Sequence, residues 1–197
     1  MLDLIDIFNS IKTPDELFLF MNQNIEYGIY GEDNKTYSDN SSDDWDDACQ
    51  TKWRLADYKK MLKYKIGHCF DQTEFEREWF KNNNYEYKTI FIFFKTDISY
   101  PCHTYLVYKN KDNDRWCWFE HSDYNNRGIH EYNSLVEAIS AQMERHIEYA
   151  RSLNMDINDE IINCIRVYQY EQPTYGCSYD EFLDNIFNNS KELTNLL

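Results

Sequence analysis

An α+β fold, amino-terminal helices packed on a mostly antiparallel sheet, is predicted by three observations. Apolar residues in the amino-terminal part recur at helical spacing, the period drops to two after Asn82-Asn83-Asn84, and a long amphipathic stretch follows the strands. The 197 residues are 42% hydrophobic and 17% aromatic, enough to bury one core. With no internal repeat and no long linker, the chain reads as a single domain over residues 1–197, its core at roughly 53–170.

The opening segment reads as two helical pieces. Thr13-Pro14-Asp15-Glu16 offers a capping oxygen, a proline at the first helical position and a glutamate that returns to the cap, so a helix is expected from Pro14 to Ile25. Leu17, Phe20, Met21 and Ile25 give it one buried face. From Gly31 to Asp47, seven acids stand against one lysine among Asn, Ser and Gly, which predicts a solvated, irregular loop rather than a metal or cationic-substrate site. A second helical stretch, Trp53 to Tyr64, ends at Lys65-Ile66-Gly67, where glycine is expected to permit the turn. A third helix begins at His68-Cys69 with Phe70 to Lys81 as its body. Tyr87 to Lys95, His103 to Lys109 and Arg115 to Glu120 are rich in aromatic and β-branched residues and read as strands, with Lys111-Asp112-Asn113-Asp114 as the turn between the last two. A long helix from Ser134 to Leu153 opens on Ser134 and Glu137 as a capping box, Ile161 to Tyr170 reads as another strand, and Ser178-Tyr179-Asp180-Glu181 starts a last helix.

Composition removes several function classes. Twenty Lys and Arg against 35 Asp and Glu give a net charge of −15, so a nucleic-acid backbone meets repulsion. The longest apolar run, Ile90 to Phe94, falls far short of the roughly 20 residues a membrane span needs. Met1-Leu2-Asp3-Leu4-Ile5-Asp6 has no basic region and carries acids where an export signal is apolar, so a cytoplasmic protein is expected. Its six cysteines are then reduced thiols.

Cys69 is the residue that invites chemistry. A thiol in the first turn of a helix faces unpaired backbone N–H groups and the positive end of the helix dipole, which favour the thiolate, and its own amide can serve an oxyanion. Such a nucleophile needs a nearby base and a partner to orient that base. If Asn110 pairs with Arg115 around the turn, Tyr105 lies opposite Glu120 and His103 opposite Ser122. His103, Trp118 and Glu120 then share one face, with His103 and Glu120 diagonal neighbours about 7–8 Å apart along the backbone. A register one residue different brings His121 to that face instead.

These residues carry a resemblance. Gly67-His68-Cys69-Phe70-Asp71-Gln72 at a helix start, His103-Thr104-Tyr105-Leu106-Val107-Tyr108 in a strand and Trp116-Cys117-Trp118-Phe119-Glu120-His121-Ser122 in the next resemble the transglutaminase-like superfamily of papain-type folds, most of all its small bacterial members. The likeness extends over residues 11–135. It implies a papain-like core, Cys69 as nucleophile, His103 as general base and acid, and Glu120 as orienting carboxylate, where the family more often has aspartate; His121 and Asp123 are the alternatives. Gln50, Trp53, Tyr64 and Trp118 are candidates for the oxyanion or substrate contacts. The implied chemistry is acyl transfer from a peptide or other amide through a thioester to water or an amine, with no cofactor. The competing reading is a silent fold that binds protein through exposed aromatics.

His68-Cys69, Cys102-His103 and Cys117 with His121 put sulfur and nitrogen donors near one another, but a metal site is not expected: no Cys-x-x-Cys pair is present and adjacent strand residues point apart. Arg77 follows Cys69 by a helical stretch, which excludes a phosphatase loop. His130 and His146 read as surface or packing residues and Arg127 as a salt-bridge partner.

Overall fold

Three layers of the molecule meet on one sheet. The structure, a computed structural model, describes residues 3–97 and 100–196, so Met1-Leu2 of the amino-terminal reading lies outside it. Helices α1 (Leu4–Ser10) and α2 (Pro14–Asn24) come first, and α2 has the expected capping box: Glu16 N–H donates to Thr13 Oγ1 while the Glu16 carboxylate accepts from Thr13 N–H. Leu17, Phe20, Met21 and Ile25 are all buried.

The acidic segment is more ordered than its composition predicts. Two short strands, β1 (Glu26–Tyr27) and β2 (Ile29–Tyr30), are followed by β3 (Thr36–Tyr37), which pairs with β2, and by α3 (Asp43–Asp47). Trp45, the one aromatic residue in α3, supplies the reason: it is buried and stacks on Tyr27 at 5.7 Å. A π-helical turn at Ala48–Lys52 comes next, and the expected helix from Trp53 is shorter, α4 (Tyr58–Tyr64), because Trp53 leaves the turn extended.

Gly67 has a different task from the one expected. Lys65, not glycine, takes the left-handed conformation that ends α4 (φ 58°). Gly67 sits in β4 (Ile66–Gly67), parallel to β1, where a Cβ would lie 2.9 Å from Asp71 Cβ and from Met61 Cε. The need is for room, not for a turn.

Helix α5 (Cys69–Asn82) follows immediately, and then β5 (Tyr87–Phe94), β6 (His103–Lys109), β7 (Trp116–Glu120), β8 (Gly128–Tyr132), α6 (Leu135–Ser152), α7 (Asp159–Ile162), β9 (Ile165–Tyr170), α8 (Tyr179–Asn189) and β10 (Lys191–Glu192). The sheet is antiparallel in the order β10-β9-β5-β6-β7-β8. β8 was not read from the sequence, and the stretch Ile161 to Tyr170 divides into the end of α7 and β9. At α6, Glu137 N–H donates to Ser134 Oγ as expected, but the Glu137 carboxylate reaches Asn133 N–H instead of closing the box on Ser134.

One face of the sheet packs against α2 and α5 through Phe75, Phe80, Leu106, Tyr108 and Phe119; the other packs against α6 through Ile90, Tyr105, Val107, Trp118 and Ile139. Buried residues from Phe8 to Leu193 contribute, well beyond 53–170. Helix α5 is enclosed on all sides, so charged residues that spacing alone would send to solvent are buried. Arg77 pairs with Glu74 (2.8 Å) and donates to Thr89 Oγ1 and the Tyr170 carbonyl.

Candidate active site

The predicted pairing of β6 with β7 is the one observed. Asn110 N–H donates to the Arg115 carbonyl (2.7 Å), Asp114 takes the left-handed conformation, and Leu106 pairs with Phe119 and Lys109 with Trp116. Glu120 therefore projects on the His103 side of the sheet, and His121 on the other.

His103 Nε2–H donates to Glu120 Oε2 at 2.8 Å. Its other ring nitrogen is left for the thiol, and His103 and Cys69 are close enough for each to favour the other's charged form. Three residues distant in sequence thus converge on one site, with the histidine hydrogen-bonded to the carboxylate and coupled to the thiol. Glu120 is 1% exposed and fully partnered: Oε2 also accepts from Trp118 Nε1–H (3.2 Å), and Oε1 accepts from Ser122 Oγ–H (3.0 Å) and Asp123 N–H (2.8 Å). Burial alone pushes its carboxyl up, but the His103 charge and these donors leave it below its ordinary value.

The electrostatics favour an ion pair. Burial works against the imidazolium of His103, and the Glu120 carboxylate, with help from the thiolate, raises its pKa well above the ordinary value. Burial likewise raises Cys69, which is 6% exposed, but the His103 hydrogen bond, the His68 and His103 charges and the Thr104 backbone N–H bring it below the ordinary thiol.

A second buried pair underpins the helix start. Asp71 Oδ2 accepts from His68 Nδ1–H (2.8 Å), His68 N–H (3.3 Å) and Trp53 Nε1–H (3.0 Å), while Oδ1 accepts from Ala56 N–H (2.8 Å). Burial opposes charge on His68, and Asp71 overcomes it, raising its pKa well above the ordinary value. The His-x-x-Asp spacing, an N-cap followed three residues later by an acid, is the signal that would have found it.

The remaining candidates divide clearly. His121 is fully buried, donates from Nδ1 to Gln72 Oε1 (2.7 Å), and is pushed down to about 4 by burial and then by Arg127, so it is a neutral core residue and no rival to Glu120. Asp123 caps the turn at Asn125 and Asn126 with its carboxylate and offers Glu120 only its backbone N–H. The indole N–H groups of Trp53 and Trp118 are spent on Asp71 and Glu120, so both position carboxylates rather than substrate. Tyr64 stacks on Tyr30 at 3.6 Å, and Gln50 is exposed on the π-helical turn. Thr104 and Ser122 carry no motif that would have found them: Ser122 donates to the Glu120 carboxylate, and the Thr104 backbone N–H favours the Cys69 thiolate. Arg127 donates to the His121 carbonyl, His146 to the Pro101 carbonyl and His130 to the Asn126 carbonyl.

Tyr27 and Cys102 pack in the cluster that holds Cys69, and the pKa of each is raised first by burial and then by Cys69. A cavity of about 540 Å³ opens between Pro173–Cys177 and α8, and none of Cys69, His103 and Glu120 lines it. Among the described residues no group of three or more His, Cys, Asp or Glu side chains is arranged to hold a metal ion, and no helix is long and apolar enough to cross a membrane. No protein-family model matches the chain, and no curated protein matches its sequence.

Proposed function

We propose that the protein is a cysteine-dependent acyl hydrolase or acyltransferase of the transglutaminase-like, papain-type kind. The observation that carries the reading is the Cys69–His103–Glu120 line, with its carboxylate held by four donors. Cys69 Sγ attacks the carbonyl carbon of an amide or peptide substrate, and the oxyanion forms over the start of α5, next to the Cys69 amide. His103 gives its proton to the leaving nitrogen, a thioester remains on Cys69, and His103 then takes a proton from the acceptor. Water as acceptor makes the protein a peptidase or amidase; an amine makes it a transglutaminase. Glu120 keeps the imidazole oriented and its positive charge compensated throughout. The residues themselves supply each step, so no cofactor is invoked, and a nucleophile that works only while reduced fits a cytoplasmic location.

The test is capture of the intermediate. The protein is mixed with pools of glutamine-containing and other amide peptides, and its intact mass is followed. The expected result is an acyl adduct on Cys69, released by hydroxylamine and absent in Cys69→Ser. Peptides that bind without forming an adduct, equally to native protein and to Cys69→Ser, would replace this reading with the binding one.

A further inference from the structure

Helix α5 and strand β6 run in the same direction and touch at two levels. Phe80 packs on Tyr108 (4.6 Å), and one level nearer the helix start Thr73 Oγ1–H donates to Thr104 Oγ1 (3.2 Å). One helical turn back from Thr73, about 6 Å along the axis, is Cys69. Two residues back from Thr104, about 6.6 Å along the strand, is Cys102. Cys102 stands one residue before β6; with the strand's alternation carried back that one position, both steps keep the same face and the two thiols are the next facing pair.

The packing agrees. Cys102 joins the apolar cluster of Cys69, Phe70 and Phe91, whereas Tyr105 and Val107, of opposite strand parity, lie in the cluster under α6. Two short side chains that share one cluster, one on a helix and one beside the strand packed on it, can approach to the spacing a disulfide spans.

We propose that Cys69 and Cys102 form a site of reversible oxidation, in which hydrogen peroxide oxidises Cys69 and Cys102 closes the product as a disulfide. The Cys69 thiolate attacks one peroxide oxygen, the O–O bond breaks, and the departing hydroxide takes the His103 proton to leave as water. This gives a sulfenic acid on Cys69. The Cys102 sulfur then attacks the Cys69 sulfur, the S–O bond breaks, and the hydroxyl leaves with the Cys102 proton as a second water. The roles are unequal because burial raises the Cys102 thiol far above the Cys69 thiol, so Cys69 meets the oxidant and Cys102 resolves it. The inference needs only a nucleophilic thiol and stands apart from the acyl-transfer reading.

The native protein is treated with stoichiometric hydrogen peroxide and mapped by peptide mass spectrometry without reduction. The expected product is a Cys69–Cys102 disulfide, with two thiols lost and both restored by a thiol reductant. Cys49→Ser leaves it unchanged, while Cys102→Ser accumulates dimedone-reactive Cys69 and passes to sulfinic acid about tenfold faster than native protein. A Cys69–Cys49 disulfide, or a Cys69 sulfenic acid that persists in the native chain as it does in Cys102→Ser, would overturn the proposal; the mapping of the native chain decides even if that variant misfolds.

Discussion

Glu120 concentrates the chemistry of the site in one side chain. A buried carboxylate is costly unless its oxygens are filled, and here four donors fill them. Replacing it with Gln preserves the volume but sets an amide N–H against at least one of those donors. We expect Glu120→Gln to lower the rate of Cys69 acylation or alkylation about 10²–10⁴-fold, as loss of a working base does. Chemical denaturation should show it less stable by about 3 kcal/mol, the scale of a broken buried pair. A variant with unchanged Cys69 reactivity would remove Glu120 from the mechanism. The carboxylate's face was legible because four turn residues and strand alternation fix the register. That His121 is a core residue was not, since a slip of one position exchanges the two side chains.

At the scale of elements, the start of α5 is built by its neighbours. Gly67 leaves space for Asp71 and Met61, and Asp71 ties His68, Trp53 and Ala56 to the first turn. Gly67→Ala is expected to cost about 1–3 kcal/mol, as overpacking does, and to slow Cys69 alkylation because Asp71 must shift. Thr13→Ala provides the contrast. It removes a cap worth about 1 kcal/mol at α2 and should leave the Cys69 rate as it is. Thermal melts and alkylation rates of the two variants separate these outcomes. The helix starts were legible because capping residues announce them, as at Thr13 and Ser178. The parallel pair β1 and β4 has two residues a side, too few to show a period, and the buried charges of α5 depend on layers from both ends of the chain that spacing does not reveal.

Across the whole molecule, histidines set opposing pH dependences. His146, buried against Phe94 and donating to Pro101, has its pKa lowered by burial and then by the His103 charge, and burial also lowers His121, to about 4. Below about pH 6.5 the unfolded chain binds protons at these positions that the folded chain refuses, so their contribution to stability is lost as pH falls. His68 and His103, raised in the folded state, contribute fully below that pH and lose their contribution as pH rises through their folded values. Urea midpoints of native protein and His146→Gln at pH 7 and pH 5 test the first half: the difference should move in favour of the variant at the lower pH. A difference independent of pH would contradict it. The α+β class was legible from periodicity alone, whereas the opposite charge states of these four histidines depend on which carboxylates the fold brings beside them.

The most direct measurement is the rate of Cys69 alkylation by iodoacetamide as a function of pH, read by peptide mass spectrometry. The account predicts a midpoint clearly below the ordinary thiol value of about 8.5, moving up towards it in His103→Asn. A midpoint at or above that value, the same in the native protein and in His103→Asn, would contradict it.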